Sequence, residues 1–205
     1  MTTKRFNRTQ MALAGAAIVL LAAMALDTKV VVIGSAADVK EVKFEPKAFG
    51  AETFPKVQAD VMARAVDATE LATAIAADAK AAAAKYSTGG VFPVKLTGVV
   101  GEGKSGIYYV TADGLPADLK IRVQTGPAIN GTELRDVTGK IAFSDFTNQI
   151  EYQDAGSAIN NELKAEVLAK IDNSALTGKT VSVIGAFKLV NPKGWLITPV
   201  SLEVK

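Results

Sequence analysis

The hydrophobic residues of this chain change period sharply at one glycine pair, and that change limits the folds open to it. Before the Gly89-Gly90 pair they recur at helical spacing: Val57, Val61 and Ala65 lie four apart, with Met62 beside them. After the pair they alternate. Phe92, Val94 and Leu96 stand two apart, and Ile107, Tyr109 and Thr111 follow a glycine-rich turn. Leu119, Ile121 and Val123 alternate with Lys120, Arg122 and Gln124, the cleanest two-residue period in the sequence. Alternation of this kind marks strands with one face buried and one in water.

The helical part spans residues 54–85. Pro55 suits a first helical position, where its missing N–H costs nothing. Asp67-Ala68-Thr69-Glu70 reads as an N-cap with its box partner, so a second helix begins there. Nine of the fourteen residues 71–84 are alanine, which favours helix but buries little surface. Ahead of it, residues 27–50 mix short apolar pieces (Val30, Ile33, Val42, Phe44) with charges, and read as an extended lead-in.

Beyond the first three strands, residues 141–146 read as a further strand and residues 154–171 as a helix, with Ile159, Leu163 and Ile171 on one stripe. Residues 180–189 and 195–204 are strands joined through Asn191-Pro192-Lys193-Gly194. Two segments match, Val94-Lys-Leu-Thr-Gly98 and Val181-Ser-Val-Ile-Gly185; each alternates and then places a glycine inside a strand, as at a barrel corner. Three strands, a helix and two strands is the order of an OB-type barrel. The expected fold is therefore α+β, mainly antiparallel, an OB-like small barrel with an N-terminal helical segment and one helix before the last two strands. Its divisions fall at residues 1–26, 27–88 (lead-in and Ala-rich helices) and 89–205 (barrel). The strand at 141–146 fits that order poorly.

The N-terminus reads as an address. Lys4, Arg5 and Arg8 precede residues 11–26 (MALAGAAIVLLAAMAL), which are uncharged and apolar. Sixteen helical residues span about 24 Å, short of the roughly 30 Å hydrocarbon core. A basic stretch before a short apolar one is a signal-peptide pattern, with Ala23-Met24-Ala25 as a small-x-small cleavage site. The alternative is an uncleaved helix in the inner membrane. Either way the remainder is expected in the periplasm, secreted or anchored by residues 11–26.

Composition excludes several chemistries. The 205 residues contain no histidine and no cysteine. No imidazole or thiolate can act as base, nucleophile or metal ligand, and no disulfide can form. The formal charge is +2, but Lys4, Arg5 and Arg8 belong to the address; the rest holds 20 basic and 21 acidic residues, a net of −1. That leaves no basic field for nucleic acid, although Tyr108, Tyr109, Phe143, Phe146, Tyr152, Phe187 and Trp195 could otherwise suggest a stacking platform. Most of these aromatics read as core.

Gly98-Val-Val-Gly101-Glu-Gly103-Lys104-Ser105 matches the spacing of a phosphate-binding loop. Such a loop must open a helix, whose free N–H groups hold the phosphate. Here Ile-Tyr-Tyr-Val-Thr comes next, a β-rich run, so the segment reads as a hairpin turn.

The most polar stretch of the barrel is residues 126–151. Arg135 could hold an anion, and Asn130, Asn148, Gln149 and Asp145 could bind hydroxyls. Asp136, Asp145 and Glu151 are the acids available for proton transfer. Asn130, Arg135, Asp136, Asp145, Asn148, Gln149 and Glu151 are therefore the candidate ligand-binding residues; the bland alternative is a loop tied down by its own side chains, with Arg135 paired to a nearby acid. No catalytic residue, metal ligand or cofactor site is assigned.

Three stretches carry a resemblance: Gly126-Pro-Ala-Ile-Asn-Gly-Thr-Glu-Leu-Arg-Asp136, Phe143-Ser-Asp-Phe-Thr-Asn-Gln-Ile-Glu-Tyr152, and Leu176-Thr-Gly-Lys-Thr-Val-Ser-Val-Ile-Gly-Ala-Phe187. The chain from about Val30 onward resembles an uncharacterised bacterial family of predicted periplasmic lipoproteins, a domain of unknown function often encoded beside sugar ABC transporters. The resemblance implies an accessory role near solute uptake; the leading reading is a non-enzymatic exported binding or accessory module, with transporter components or a small polar solute as partners. It carries over no catalytic residue, and this sequence departs from it in lacking the cysteine that a lipid anchor needs. A carboxylate-dependent hydrolase and a structural envelope protein are the alternatives.

Overall fold

The computed structural model describes residues 7–28 and 44–205. It divides into two compact units, Met1–Lys43 and Phe44–Lys205. Lys4, Arg5 and most of the lead-in, including Val30, Ile33 and Val42, lie outside the described residues.

In the first unit, α1 (Arg8–Asp27) takes in the whole apolar run. Its large side chains are exposed on every side, from Leu13 and Ile18 to Leu21 and Leu26. At its end the Thr28 N–H and hydroxyl both donate to Met24 O, at 2.9 and 2.6 Å. Among the described residues no helix is long and apolar enough to cross a membrane.

The second unit begins with α2 (Pro46–Arg64), the two-residue β1 (Val66–Asp67), α3 (Ala68–Ala77) and α4 (Ala79–Tyr86). It continues with β2 (Val91–Lys104), β3 (Ile107–Thr111), β4 (Lys120–Gln124), the single turn α5 (Glu133–Asp136), α6 (Gln149–Glu166), β5 (Thr180–Lys188) and β6 (Gly194–Val204). The strands lie in the order β1-β2-β3-β4-β6-β5, and β5 returns to pair with β2, so β2-β3-β4-β6-β5 form a ring. β4 and β6 run parallel; the other neighbours in the ring are antiparallel. Three strands, a helix and two strands close as an OB barrel, as the alternation predicts.

β2 closes the ring because it is long enough for two partners. It pairs with β5 from Val91 to Val99 and with β3 from Val99 to Lys104. Gly98 sits where the partners change, and Gly185 where the β5–β6 register shifts. A Cβ on either would run into backbone: at Gly98 the Thr111 carbonyl, at Gly185 the Thr198 carbonyl and Pro199 Cα. These are the two glycines whose segments match in sequence, and both are corners. Inside, Phe187 stacks between Phe92 and Trp195, ring centroids 5.5 and 4.5 Å away. Trp195 is fully buried, and its indole N–H donates to Pro192 O at 3.2 Å.

α2 and α6 cross at small residues. A Cβ on Gly50 would lie 2.7 Å from Ala158 O, so only glycine allows this approach. α2 buries Phe54, Val57 and Val61, and α6 buries Ala155, Ala158, Ile159 and Leu163.

The structure corrects the sequence reading in several places. The first helix starts at Pro46, not at 54, and Pro55 lies inside it, exposed, where the released carbonyl can be hydrated. Pro46 is the proline near the helix start. Asp67 caps α3 as expected, accepting from Thr69 N at 2.9 Å, but Glu70 completes no box; it accepts from the Tyr86 hydroxyl at 2.9 Å. Asp78 breaks the alanine-rich stretch and caps α4 through Lys80 N and Ala81 N. Residues 141–146 form no strand: Phe143–Asp145 is a 3-10 turn, held by the Ala142 N–H donating to Asp145. The last helix begins at Gln149, five residues early, and after Glu166 gives way to a 3-10 turn at Leu168–Lys170.

Candidate functional site

β4 ends at Gln124, and its buried side chain organises the loop beyond it. Gln124 Oε1 accepts from Asn130 N at 2.9 Å, while its Nε2 donates to Asn130 O at 2.9 Å and to Thr198 Oγ1 at 2.8 Å. Asn160 of α6 donates to Gly131 O at 3.0 Å. The loop from β4 to α5 is thus tied to the barrel and to α6 by two amides.

Arg135 is buried, and all its contacts are internal. Its Nε donates to Asp136 Oδ1 at 2.8 Å and its Nη1 to Tyr152 O at 3.0 Å, while the guanidinium lies on the Tyr152 ring. The second Asp136 oxygen accepts from the Thr132 hydroxyl at 2.7 Å. Asn148 Oδ1 accepts from Glu151 N, and Glu151 Oε2 accepts from Thr147 N, so this pair caps α6. Asp145 is exposed and holds its own 3-10 turn. Gln149, also exposed, makes no side-chain hydrogen bond among the described residues. Of the seven candidates, the structure brings Arg135 to Asp136 and Asn148 to Glu151; Asn130 is held through its backbone. Among the described residues there is no cluster of acids suited to a metal ion.

A feature the sequence did not reveal lies beside this region. Phe44, Phe49 and Phe146 meet with centroids 5.4 to 5.7 Å apart, and Tyr152 and then Phe143 extend the row. Between α2 and residues 138–146 the first three border a cleft of about 340 Å³. Phe44, Phe49, Phe146, Val57 and Ile141 give it an apolar body; Thr53, Lys56, Thr138, Lys140 and Asp145 give it polar groups. Its volume falls at the lower end of small-molecule sites, about 300–1,000 Å³. A larger groove, about 690 Å³, runs along Glu166, Lys170, Lys179 and Glu203, with no aromatic in its walls. The aromatics divide accordingly: Phe187 and Trp195 are core, while Phe143 and Tyr109 are about half exposed.

Glu133 is the second residue outside the candidate set. Its Oε2 is buried without a hydrogen-bond partner. Burial pushes its carboxyl above the usual range, and Asp136 adds to that; its own backbone N–H, Lys188 and Thr198 oppose the shift.

The loop at 98–105 is the end of β2 and a hairpin. Ser105 and Gly106, with φ of 54° and 77°, turn the chain straight into β3, and Lys104 pairs with Ile107. No helix comes after Lys104 here, so no helix terminus is present to hold a phosphate.

A family model described as predicted periplasmic lipoprotein (DUF2291) matches residues 15–203. The crystal structure of an OB-fold protein from Thermotoga maritima MSB8 superposes with a TM-score of 0.62, covering 79% of this chain and 99% of that one at 21% identity. At that identity the likeness shows the fold. No curated protein matches the chain.

Proposed function

We propose, from the premise that this chain belongs to the family of predicted periplasmic lipoproteins, that it is a non-catalytic periplasmic module that holds a small solute in the cleft between α2 and residues 138–146. The observation that carries the reading is the cleft itself: an aromatic body with hydroxyls, ammonium groups and one carboxylate around it. Of the seven residues picked from the sequence, only Asp145 borders it. The acids a hydrolase would need are engaged elsewhere, Asp136 by Arg135 and Thr132, Asp145 and Glu151 by backbone N–H groups. The chain has no cysteine to carry a thioether lipid. Residues 11–26 therefore serve as a leader that is removed or as the remaining tether. The accessory role beside a solute importer is part of the same proposal.

A panel of sugars, polyols and small organic acids tests the reading by thermal shift on the full chain. A ligand at 100 times its dissociation constant adds about 2.7 kcal/mol of stability. A silent panel, together with membrane pull-downs that recover no transporter subunit, would remove the proposal. Turnover of a substrate that is lost in Asp145→Asn would replace it with an enzyme.

A further inference from the structure

We infer that the solute of this cleft is an amphipathic monoanion: a compact aromatic or short aliphatic body carrying one carboxylate. The inference rests on the reading of the cleft as a solute site and adds the ligand's class.

The cleft is polarised along α2. Phe49, Thr53, Lys56 and Val57 fall on one face of the helix, and Phe49 to Val57 covers about 12 Å of its length. At the Phe49 end, Phe44 and Phe146 close around it, ring against ring. That end offers three aromatic surfaces, with Asp145 next to Phe146 in the chain. At the other end stand the Lys140 ammonium and the Thr138 hydroxyl. Lys140 reaches Asp60, one turn beyond Lys56, at 3.4 Å. A neutral polyol needs hydroxyl, amide and carboxylate partners round its rim, whereas the polar lining here is two ammonium groups, two hydroxyls and one carboxylate beside an aromatic body.

The charge at that end is spare. Asp60 is already met by Arg64, whose Nε and Nη2 donate to it at 2.8 and 2.5 Å. Lys140 adds a longer third contact from a side chain that is mostly in water. Lys56 pairs only with Glu52, both of them exposed, a pairing of little energetic weight. Asp145, the one acid in the lining, is engaged by the N–H of Ala142. Counted over the lining alone, two cations stand against one anion, with Glu52 and Asp60 as their exposed or shared partners outside it, and an entering carboxylate would compete for the two ammonium groups.

Calorimetry on the full chain with phenylacetate, hexanoate, phenylacetamide, glucose and mannitol decides the matter. Phenylacetate or hexanoate is expected to bind at least tenfold more tightly than phenylacetamide. Lys140→Met is expected to weaken the acid about tenfold and leave the amide unchanged. That variant keeps Asp60 paired with Arg64, so its thermal midpoint should stay at the wild-type value. Phe146→Leu should weaken acid and amide alike. Equal affinity for acid and amide overturns the inference but leaves the cleft a solute site. So does glucose or mannitol binding that Phe146→Leu weakens and Lys140→Met does not. Acid binding that neither substitution touches overturns both readings, because the ligand then sits elsewhere.

Discussion

The guanidinium carbon of Arg135 lies 3.6 Å from the centre of the Tyr152 ring. The same side chain donates to the Tyr152 carbonyl and to Asp136, so α5 and α6 are joined through one residue. Arg135 is 8% exposed and its partner Asp136 26%. Removing the cation leaves the carboxylate partly buried and the carbonyl without its donor. Arg135→Ala should cost about 2–4 kcal/mol by chemical denaturation. Arg135→Lys should recover less than half of that, since an ammonium cannot keep the stack and both hydrogen bonds together. A loss under about 0.5 kcal/mol for the alanine variant would show that the cluster is not a structural joint.

Glu133 sets a pH dependence of unusual sign for a carboxylate. Its folded pKa is raised above an unfolded value near 4.5. The native state therefore holds this proton more tightly than the unfolded chain does. The resulting stabilisation is complete below about pH 4.5 and fades as pH rises through the folded value. At pH 7 the charge is a burden, and Glu133→Gln, which removes the charge while keeping a polar group of the same shape, should stabilise by about 0.5–1 kcal/mol once screening is allowed for. Denaturation curves at pH 4.5 and 7 should show the advantage of the variant shrinking on acidification.

The barrel corners predict the most damaging substitutions. Gly98→Ala brings a methyl against the Thr111 carbonyl and to 2.8 Å of Val110 Cγ1; Gly185→Ala brings one to 2.8 Å of Pro199 Cα. The Thr111 carbonyl and Pro199 Cα are backbone, so the strands must part. Each variant should lose about 3 kcal/mol or more, or fail to accumulate as folded protein. Alanine at Gly178, which has open space around it but a positive φ of 82°, serves as the milder comparison.

The loop that matches a phosphate-binding motif should prove inert. Lys104 is exposed at the end of β2 and makes no ion pair among the described residues. Lys104→Ala should change stability by less than about 0.5 kcal/mol. ATP with magnesium should leave the melting of both proteins unmoved; a shift that the substitution abolishes would contradict the hairpin assignment.

What could be read in advance was set by periodicity, and what could not was set by distance along the chain. Leu119 to Gln124 announced β4 because its alternation needs only its own residues. The paired glycines at 98 and 185 announced corners for the same reason. Residues 141–146 misled because Ile141, Phe143 and Phe146 look strand-like until one asks which strand they would pair with, and the ring is already full. Those side chains instead face α2 and α6, contacts no local pattern encodes. The cleft was invisible because Phe44 and Phe49 meet Phe146 only after the barrel is closed. Arg135 was legible as a charge that needed a partner. That the partner would be its own neighbour Asp136, with Tyr152 beneath, required the start of α6 to be in place.

The ring of strands also dictates a timetable. Val91 faces Lys188 across the β2–β5 seam, and Gln58 of α2 donates to the carbonyl of Val200, 142 residues further on. No early part of the second unit can close the barrel by itself, because its first long strand waits for its last two. Such non-local pairing slows folding. The residues made first therefore have no complete partner set until the last strands are available. With no cysteine there is no disulfide to hold an early intermediate together, so closure of the seam rests on β5 and β6 alone.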